Sequence, residues 1–570
     1  MPGRPAREPE QRPIRIGNCS GFYGDRLAAM HEMLTGGPLD VLTGDYLAEL
    51  TMLILFRSRG KDPTKGYATT FLRQLEANLG TALDRRVRIV VNAGGLNPAG
   101  CADAVRSLAG RLGLEPNVAH VEGDDVLPLF GGSVTANAYL GAFPLAAGLA
   151  GGADIVISGR CTDAALVCGP AAWWHGWSAE QLDELAGAVV AGHVLECGTQ
   201  ATGGNYAFFR EVPNPEHLGF PLAEIHADGS SVITKHPGTG GMVSRGTVTA
   251  QLLYEIGAPA YLGPDVTAHF DTIRLEEQGP DRVRLAGVRG SPPPPTIKVA
   301  TNRLGGFRNS VNFLLCGLDI EDKADLLRRQ LAASTAGIAE VTETLTRLDR
   351  PDADTEEGAT AVLRVQVRDQ DPAKVGRAFS GPAIELALAS IPGFHVTAPP
   401  GEASPFGVYA PAFLTRDQIS PVVVHQDGRR TVISPGPLPA TPPGLGPAHL
   451  AAEPAAPVGG PTERVPLGTI LGARSGDKGG DANLGVWART DAAYGWLAHW
   501  LTVDRLRELL PETAGLEIHR YAMANLLAVN FVLVGLLGAG VAASTRFDPQ
   551  AKALGEWLRG RRVEIPKVLL

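Results

Sequence analysis

Residues 87–98 read Val-Arg-Ile-Val-Val-Asn-Ala-Gly-Gly-Leu-Asn-Pro, a short β-branched run that breaks into a polar, glycine-containing stretch. A run too short for a helix and bounded by turn residues predicts a strand at Val87–Val91. Helical texture follows from about Ala102 to Leu112. The same order recurs outward in both directions. Ile14–Ile16, Leu39–Leu42, Asn117–Val121 and Ala153–Ile157 predict further strands, with helices at Arg26–Leu34 and Tyr46–Phe56. Repeated strand-then-helix order points to a parallel sheet covered by helices.

The segment at the end of each strand is as informative as the strand itself. The five segments are Asn18 to Asp25, Thr43-Gly44-Asp45, Asn92 to Pro98, Glu122-Gly123-Asp124 and Ser158-Gly159-Arg160-Cys161-Thr162-Asp163. In a parallel sheet all of them lie at the carboxyl edge, where open α/β sheets bind ligands. No GxGxxG or GxxxxGK[ST] fingerprint occurs, and Pro98 removes an amide that a phosphate cradle would use. No spacing among Asp45, Asp124 and Asp163 demands a metal, so no metal and no cofactor is assigned.

Further along, residues 211–308 have β-rich texture, with strands expected at Val232–Lys235, Thr247–Thr249, Thr267–Ile273 and Thr296–Ala300. A helix is expected at Lys323–Leu345, a strand at Ala361–Val367, and helix again at Ala373–Ala389, interrupted at Gly381-Pro382. Residues 435–461 are dominated by Pro, Ala and Gly, the composition of an extended linker. Beyond it, strands are expected at Val465–Ala473, Asn483–Ala488, Glu517–Tyr521, Val541–Arg546 and Val563–Ile565. Helices are expected at Ala492–Leu510 and in the apolar run Leu526–Leu537. The fold class is therefore α/β. A large domain (14–434) carries a mainly parallel sheet with β-rich insertions, and a linker (435–461) leads to a small α+β domain (462–570).

Composition sets the limits. At 570 residues, more than one core is expected, and 44% hydrophobic with 19% charged residues is a globular balance. A net charge of −9 with no Lys/Arg run argues against nucleic-acid binding. Six scattered cysteines without a CxxC suit reduced thiols in the cytosol. The N-terminal stretch lacks an apolar segment, and the longest apolar helix candidate is too short to span a bilayer. A soluble cytoplasmic protein is expected, and a homo-oligomer.

Three clusters carry the chemistry. The first is the set of strand-end segments, with Asn18, Ser20 and Asn97 as substrate contacts and Asp45, Glu49, Arg160 and Asp163 as catalytic candidates. The second is His193 to Asn205. His193 and Cys197 share a helix face, which raises a Cys–His nucleophile, but a helix C-terminus opposes a thiolate. Glu196 is better placed as a general acid or base, with Thr202, Gly203, Gly204 and Asn205 as substrate contacts and Thr239-Gly240 as a further amide loop. The third is Gly472 to Leu484, where Arg474 and Lys478 beside successive glycines suit a carboxylate or phosphate.

Together these segments resemble the acyclic terpene utilisation (AtuA-like) family. The residues that carry the resemblance are Asn18 to Asp25, Leu42 to Glu49, Ser158 to Asp163, Glu196 to Asn205 and Arg474 to Asn483. The resemblance implies a small ferredoxin-like domain at the C-terminus. It also implies a role in catabolism of branched acyclic terpenoids or similar acids activated as CoA thioesters, CoA entering as part of the substrate. The corresponding expectation is an enzyme of hydratase, lyase or hydrolase type working by proton transfer. The alternative is a non-catalytic subunit or scaffold that binds an acyl intermediate or a partner enzyme.

Overall fold

A computed structural model describes residues 12–434 and 458–570. The linker expected at 435–461 lies largely outside the described residues. The first strands are β1 (Ile14–Asn18), β2 (Val41–Gly44), β3 (Arg88–Gly95), β4 (Val118–Glu122), β5 (Thr135–Ala138), β6 (Ile155–Gly159), β7 (Pro221–Ile225) and β8 (Ser231–Lys235). Five of them form the parallel heart of an 11-stranded sheet in the order β1-β2-β3-β6-β4. Antiparallel strands extend both edges: β7, β8 and a hairpin of Arg282–Ala286 and Arg274–Gly279 beyond β1, and Val422–Val424 with Arg430–Val432 beyond β4.

Alternation along the strands makes the sheet double-faced. Leu42, Ile89, Val91, Ile155 and Ile157 pack under the helices Ala29–Gly36, Thr69–Asp84 and Pro98–Arg111. Val41, Val90, Ala119 and Val156 pack under Phe143–Ala150, Ala165–His175 and Leu182–Leu195. With both faces covered, the five strand-end segments are left at one open edge. Among the described residues, no helix is long and apolar enough to cross a membrane.

The chain divides into two compact units. One holds the residues through Asn302 together with Tyr409–Val541 and Gln550–Leu570, so the large sheet and the C-terminal sheet share it. The other comprises Arg303–Val408 and Ala542–Pro549. In that second unit, the strands run in the spatial order Glu340–Thr346, Thr360–Asp369, residues 303–316 of the strand Thr296–Cys316, Phe394–Val396, all antiparallel. With helices Ile320–Thr335 and Arg377–Ala389 on the crossovers, this is a βαββαβ ferredoxin-like arrangement. In the first unit, the C-terminal sheet orders Leu471–Lys478, Asp481–Ala488, Ala528–Leu533, Ile518–Met523. It has the same strand layout, with the edge strand supplied from the N-terminal end of the domain.

Several local expectations are corrected. Leu526–Leu537 is not a helix: Ala528–Leu533 is a fully buried strand, and a continuous apolar run suits either element. Thr247–Thr249 lies inside the helix Arg245–Leu252, where Ser244 and Thr247 form a capping box that outweighs β-branched propensity. The helix from Ile320 ends at Thr335, and Glu340–Thr346 is an edge strand. The 373–389 helix breaks at Gly376 rather than at Gly381-Pro382; Pro382 sits inside Arg377–Ala389. Val541–Arg546 forms no strand, and Leu471–Lys478 and Asp481–Ala488 form a hairpin turning on Gly479-Gly480.

Candidate active site

β2 delivers Asp45 to the open edge. The Asp45 amide donates to the Ser20 carbonyl (2.9 Å), and its Oδ1 accepts from the Asn92 side chain (2.6 Å) and the Leu47 amide (3.0 Å). The Asn92 oxygen accepts from the Tyr46 amide (2.8 Å), so one side chain of β3 locks the turn after β2. Asp45 is only 5% exposed. Burial raises its pKa well above the carboxylate range, and the neighbouring charge of Asp163 adds to this; Arg160 and Asn92 oppose it.

Arg160 follows β6. Its Nη1 donates to Asp163 (3.0 Å) and to the Leu47 carbonyl (3.3 Å), and its backbone amide donates to Asp124 (2.8 Å). Asp124 also accepts from Asn137 (2.9 Å), and burial raises it to about 6. The guanidinium lies over the Tyr139 ring (4.3 Å from the centroid), as does the Lys298 ammonium (4.8 Å). Among the described residues, no group of three or more His, Cys, Asp or Glu is placed to hold a metal ion.

Glu196 caps the helix Leu182–Leu195, held there by Asn18, whose amide donates to the Leu195 carbonyl (2.6 Å). The Asn18 loop comes so close that a Cβ on Gly21 would lie 2.5 Å from the Gly198 nitrogen. Three residues before Glu196, His193 has its Nε2 3.1 Å from the Gln251 carbonyl. A carbonyl only accepts, so Nε2 carries the proton and Nδ1 is a lone pair. That Nδ1 lies 3.0 Å from Glu196 Oε1, at contact distance rather than in hydrogen-bond alignment. The Glu196 side chain is 6% exposed, and its Oε2 is buried with no hydrogen-bond partner. Burial first, then the charges of Asp163 and Glu255, push its pKa well up; Lys478 and Arg160 oppose this. Burial pushes His193 down to about 4. Burial thus favours the neutral form of each, a carboxyl facing an imidazole. Burial raises Cys197 well above its ordinary value, which leaves a thiol, not a nucleophile.

The C-terminal hairpin closes this side of the site. Arg474 donates to Gln200 (2.6 Å) and lies over Tyr254 (4.1 Å), while its Nε is buried without a partner. Lys478 donates to the Glu255 carbonyl (2.9 Å). Asn483 accepts from the Glu255 amide (2.8 Å) and donates to Asn530, which donates in turn to the Gly257 carbonyl (2.7 Å). Gly476 packs directly on the Tyr254 ring, where a Cβ would not fit.

The structure thus brings Asp45, Arg160, Asp163, Glu196 and Lys478 within one electrostatic cluster, with Asn18 and Ser20 bracing its backbone. Other candidates serve neighbouring turns. Asn97 caps its helix and donates to the Thr64 and Lys65 carbonyls. Thr202 is buried, donating to the carbonyls of Thr199 and Gly219. Thr239 donates to the His236 carbonyl, and Gly240 abuts the carbonyls of Asn214 and His217. Gly203 (φ +116) and Asn205 (φ +57) supply left-handed backbone, and Asn205 is exposed. Glu49 opens the helix Glu49–Lys61, and its side chain lies outside the described residues.

Tyr139, Lys298, Glu255 and Gln200 join the site through strand and hairpin contacts distant in sequence, which no local motif signals. Glu196, preferred over Cys197 in the sequence, is the residue that meets His193, at i,i+3 on the helix.

Residues 14–425 match the model described as acyclic terpene utilisation family protein AtuA. Residues 465–564 match the AtuA ferredoxin-like domain. No individually curated protein matches the chain.

Proposed function

Because the chain belongs to the acyclic terpene utilisation family AtuA, we propose that it is an enzyme acting on a branched acyl-CoA or a related carboxylic acid. The reaction is proton transfer of hydratase, lyase or hydrolase type, with Glu196 as the acid. The observation that carries this reading is the buried Glu196, with one oxygen unpartnered, His193 behind it, and a pKa that burial pushes well up. A carboxyl held neutral at pH 7 is what a general acid needs.

In this reading Glu196 Oε2 delivers a proton to the reacting carbon or leaving oxygen. Proton removal falls to Asp163, paired with Arg160. Arg160, fixed over Tyr139, holds a developing oxyanion, since a preorganised cation in a water-poor site stabilises charge that appears only in the transition state. Arg474 and Lys478 hold the substrate's carboxylate or CoA phosphates.

The test is a panel of acyl-CoAs and free acids incubated with the protein and read by mass spectrometry. Turnover that falls at least about 100-fold in Glu196→Gln supports the proposal. Saturable binding without turnover of any member would favour a non-catalytic, ligand-binding subunit instead.

A further inference from the structure

The imidazole that faces Glu196 has a second neighbour, Tyr261, on the short strand Ala260–Leu262. The Tyr261 ring tilts against His193 (centroids 5.4 Å apart) and stacks on Phe270 (5.2 Å, 21° between planes). Phe270 meets the same imidazole edge-on (5.4 Å), so each of the three rings touches the other two. The Lys478 ammonium lies over the Tyr261 ring, 5.9 Å from its centroid. Tyr261 therefore stands between the helix end that carries Glu196 and the C-terminal hairpin.

This packing fixes the ring and leaves the hydroxyl unused. Among the described residues, no hydrogen bond engages the Tyr261 oxygen. A phenol with a walled-in ring usually finds a partner. Here the residue as a whole is only half-buried, and its oxygen is not one of the sealed polar atoms of the interior. Burial raises its pKa well above the ordinary phenol value, and the charges of Asp163 and Glu255 add to this. The group is thus a neutral O–H, able to donate a hydrogen bond and unsuited to act as a base. Asp163, one of the charges that act on it, is the partner of Arg160.

We propose that Tyr261 is a further catalytic residue, its hydroxyl donating a hydrogen bond to the carbonyl oxygen of the bound acyl group. This role rests on the acyl-substrate reading proposed above. It sets a neutral donor beside the cationic Arg160. A fixed dipole aimed at an oxygen that gains charge in the transition state needs no reorganisation as the charge appears. Contact with Phe270 and His193 holds that dipole in place. The phenol keeps its proton throughout.

The experiment uses the full-length protein with isovaleryl-CoA and isovalerate, each isotopically labelled at the carbonyl carbon so that infrared difference spectra isolate the bound group. Wild type is compared with Tyr261→Phe, with replacement of Tyr261 by 3-fluorotyrosine, and with Glu196→Gln, each first shown to be folded by circular dichroism. For at least one probe the bound carbonyl band should move to higher frequency in Tyr261→Phe. It should move to lower frequency with 3-fluorotyrosine, a stronger donor of nearly the same size. If Tyr261→Phe does not fold, the fluorinated residue carries the comparison. On any acyl-CoA that turns over, kcat should fall about 100-fold in Tyr261→Phe with KM little changed. Bands that move in this way while Glu196→Gln keeps full turnover support Tyr261 and count only against Glu196 as the acid. The proposal is overturned if neither probe binds saturably, or if the band is the same in wild type and both Tyr261 variants. Wild-type kcat in Tyr261→Phe also overturns it, and leaves the Glu196 reading standing.

Discussion

At the scale of single residues, the site depends on which groups lose their charge on burial. Glu196 is useful as an acid only while protonated, and its pKa lies well above the ordinary carboxylate value. Activity should therefore be present at neutral pH and fall as pH rises through that raised pKa, and the falling limb should disappear in Glu196→Gln. A pH profile of residual turnover checks this. His193 works on stability in the opposite direction. Folding holds it neutral down to about 4 against an ordinary 6.5, so the unfolded chain binds its proton first. Its contribution is intact above pH 6.5 and is lost as pH falls towards 4, on the order of 3 kcal/mol at most. Urea unfolding of wild type and His193→Gln at pH 7 and pH 4.5 should show a smaller acid loss in the variant.

At the scale of elements, the strand-end segments were legible because five short apolar runs alternated with helical texture, and parallel strands put their ends at one edge. Asn18, Asp45 and Arg160 could be singled out for that reason, and Glu196 from the helix end that carries it. Ala528–Leu533 and a buried helix have the same apolar signature, and the Ser244 capping box was hidden by three β-branched neighbours. Tyr139 and Lys298 carry no local signal at all, because a pairing between β5 and Val299–Asn302 brings them together. The Leu471–Lys478/Asp481–Ala488 hairpin was visible as charged and glycine-rich, yet its purpose as a docking strand pair emerges only from its contacts. Gly476→Ala should force the hairpin off Tyr254 and cost about 1–3 kcal/mol, as overpacking does. A lowered urea midpoint would show it, with Gly515→Ala, which meets no neighbour, as the control.

At the scale of the whole molecule, one compact unit contains both the large sheet and the C-terminal sheet, so the site draws residues from both family-matched regions. In the proposed function Arg474 acts on binding more than on chemistry. Arg474→Met should raise KM for an acyl-CoA or acid substrate about tenfold with kcat little changed, since a contact made equally in ground and transition states affects KM. Steady-state kinetics decide it. The central claim, however, is the neutral acid at Glu196, and it has a spectroscopic signature independent of any substrate. Infrared difference spectra of the full-length protein at pH 7, with glutamate side chains isotopically labelled, should show a protonated-carboxyl C=O band that is missing from Glu196→Gln. A wild-type spectrum without that band, or one that keeps it unchanged in Glu196→Gln, would contradict the assignment of Glu196 as the proton donor.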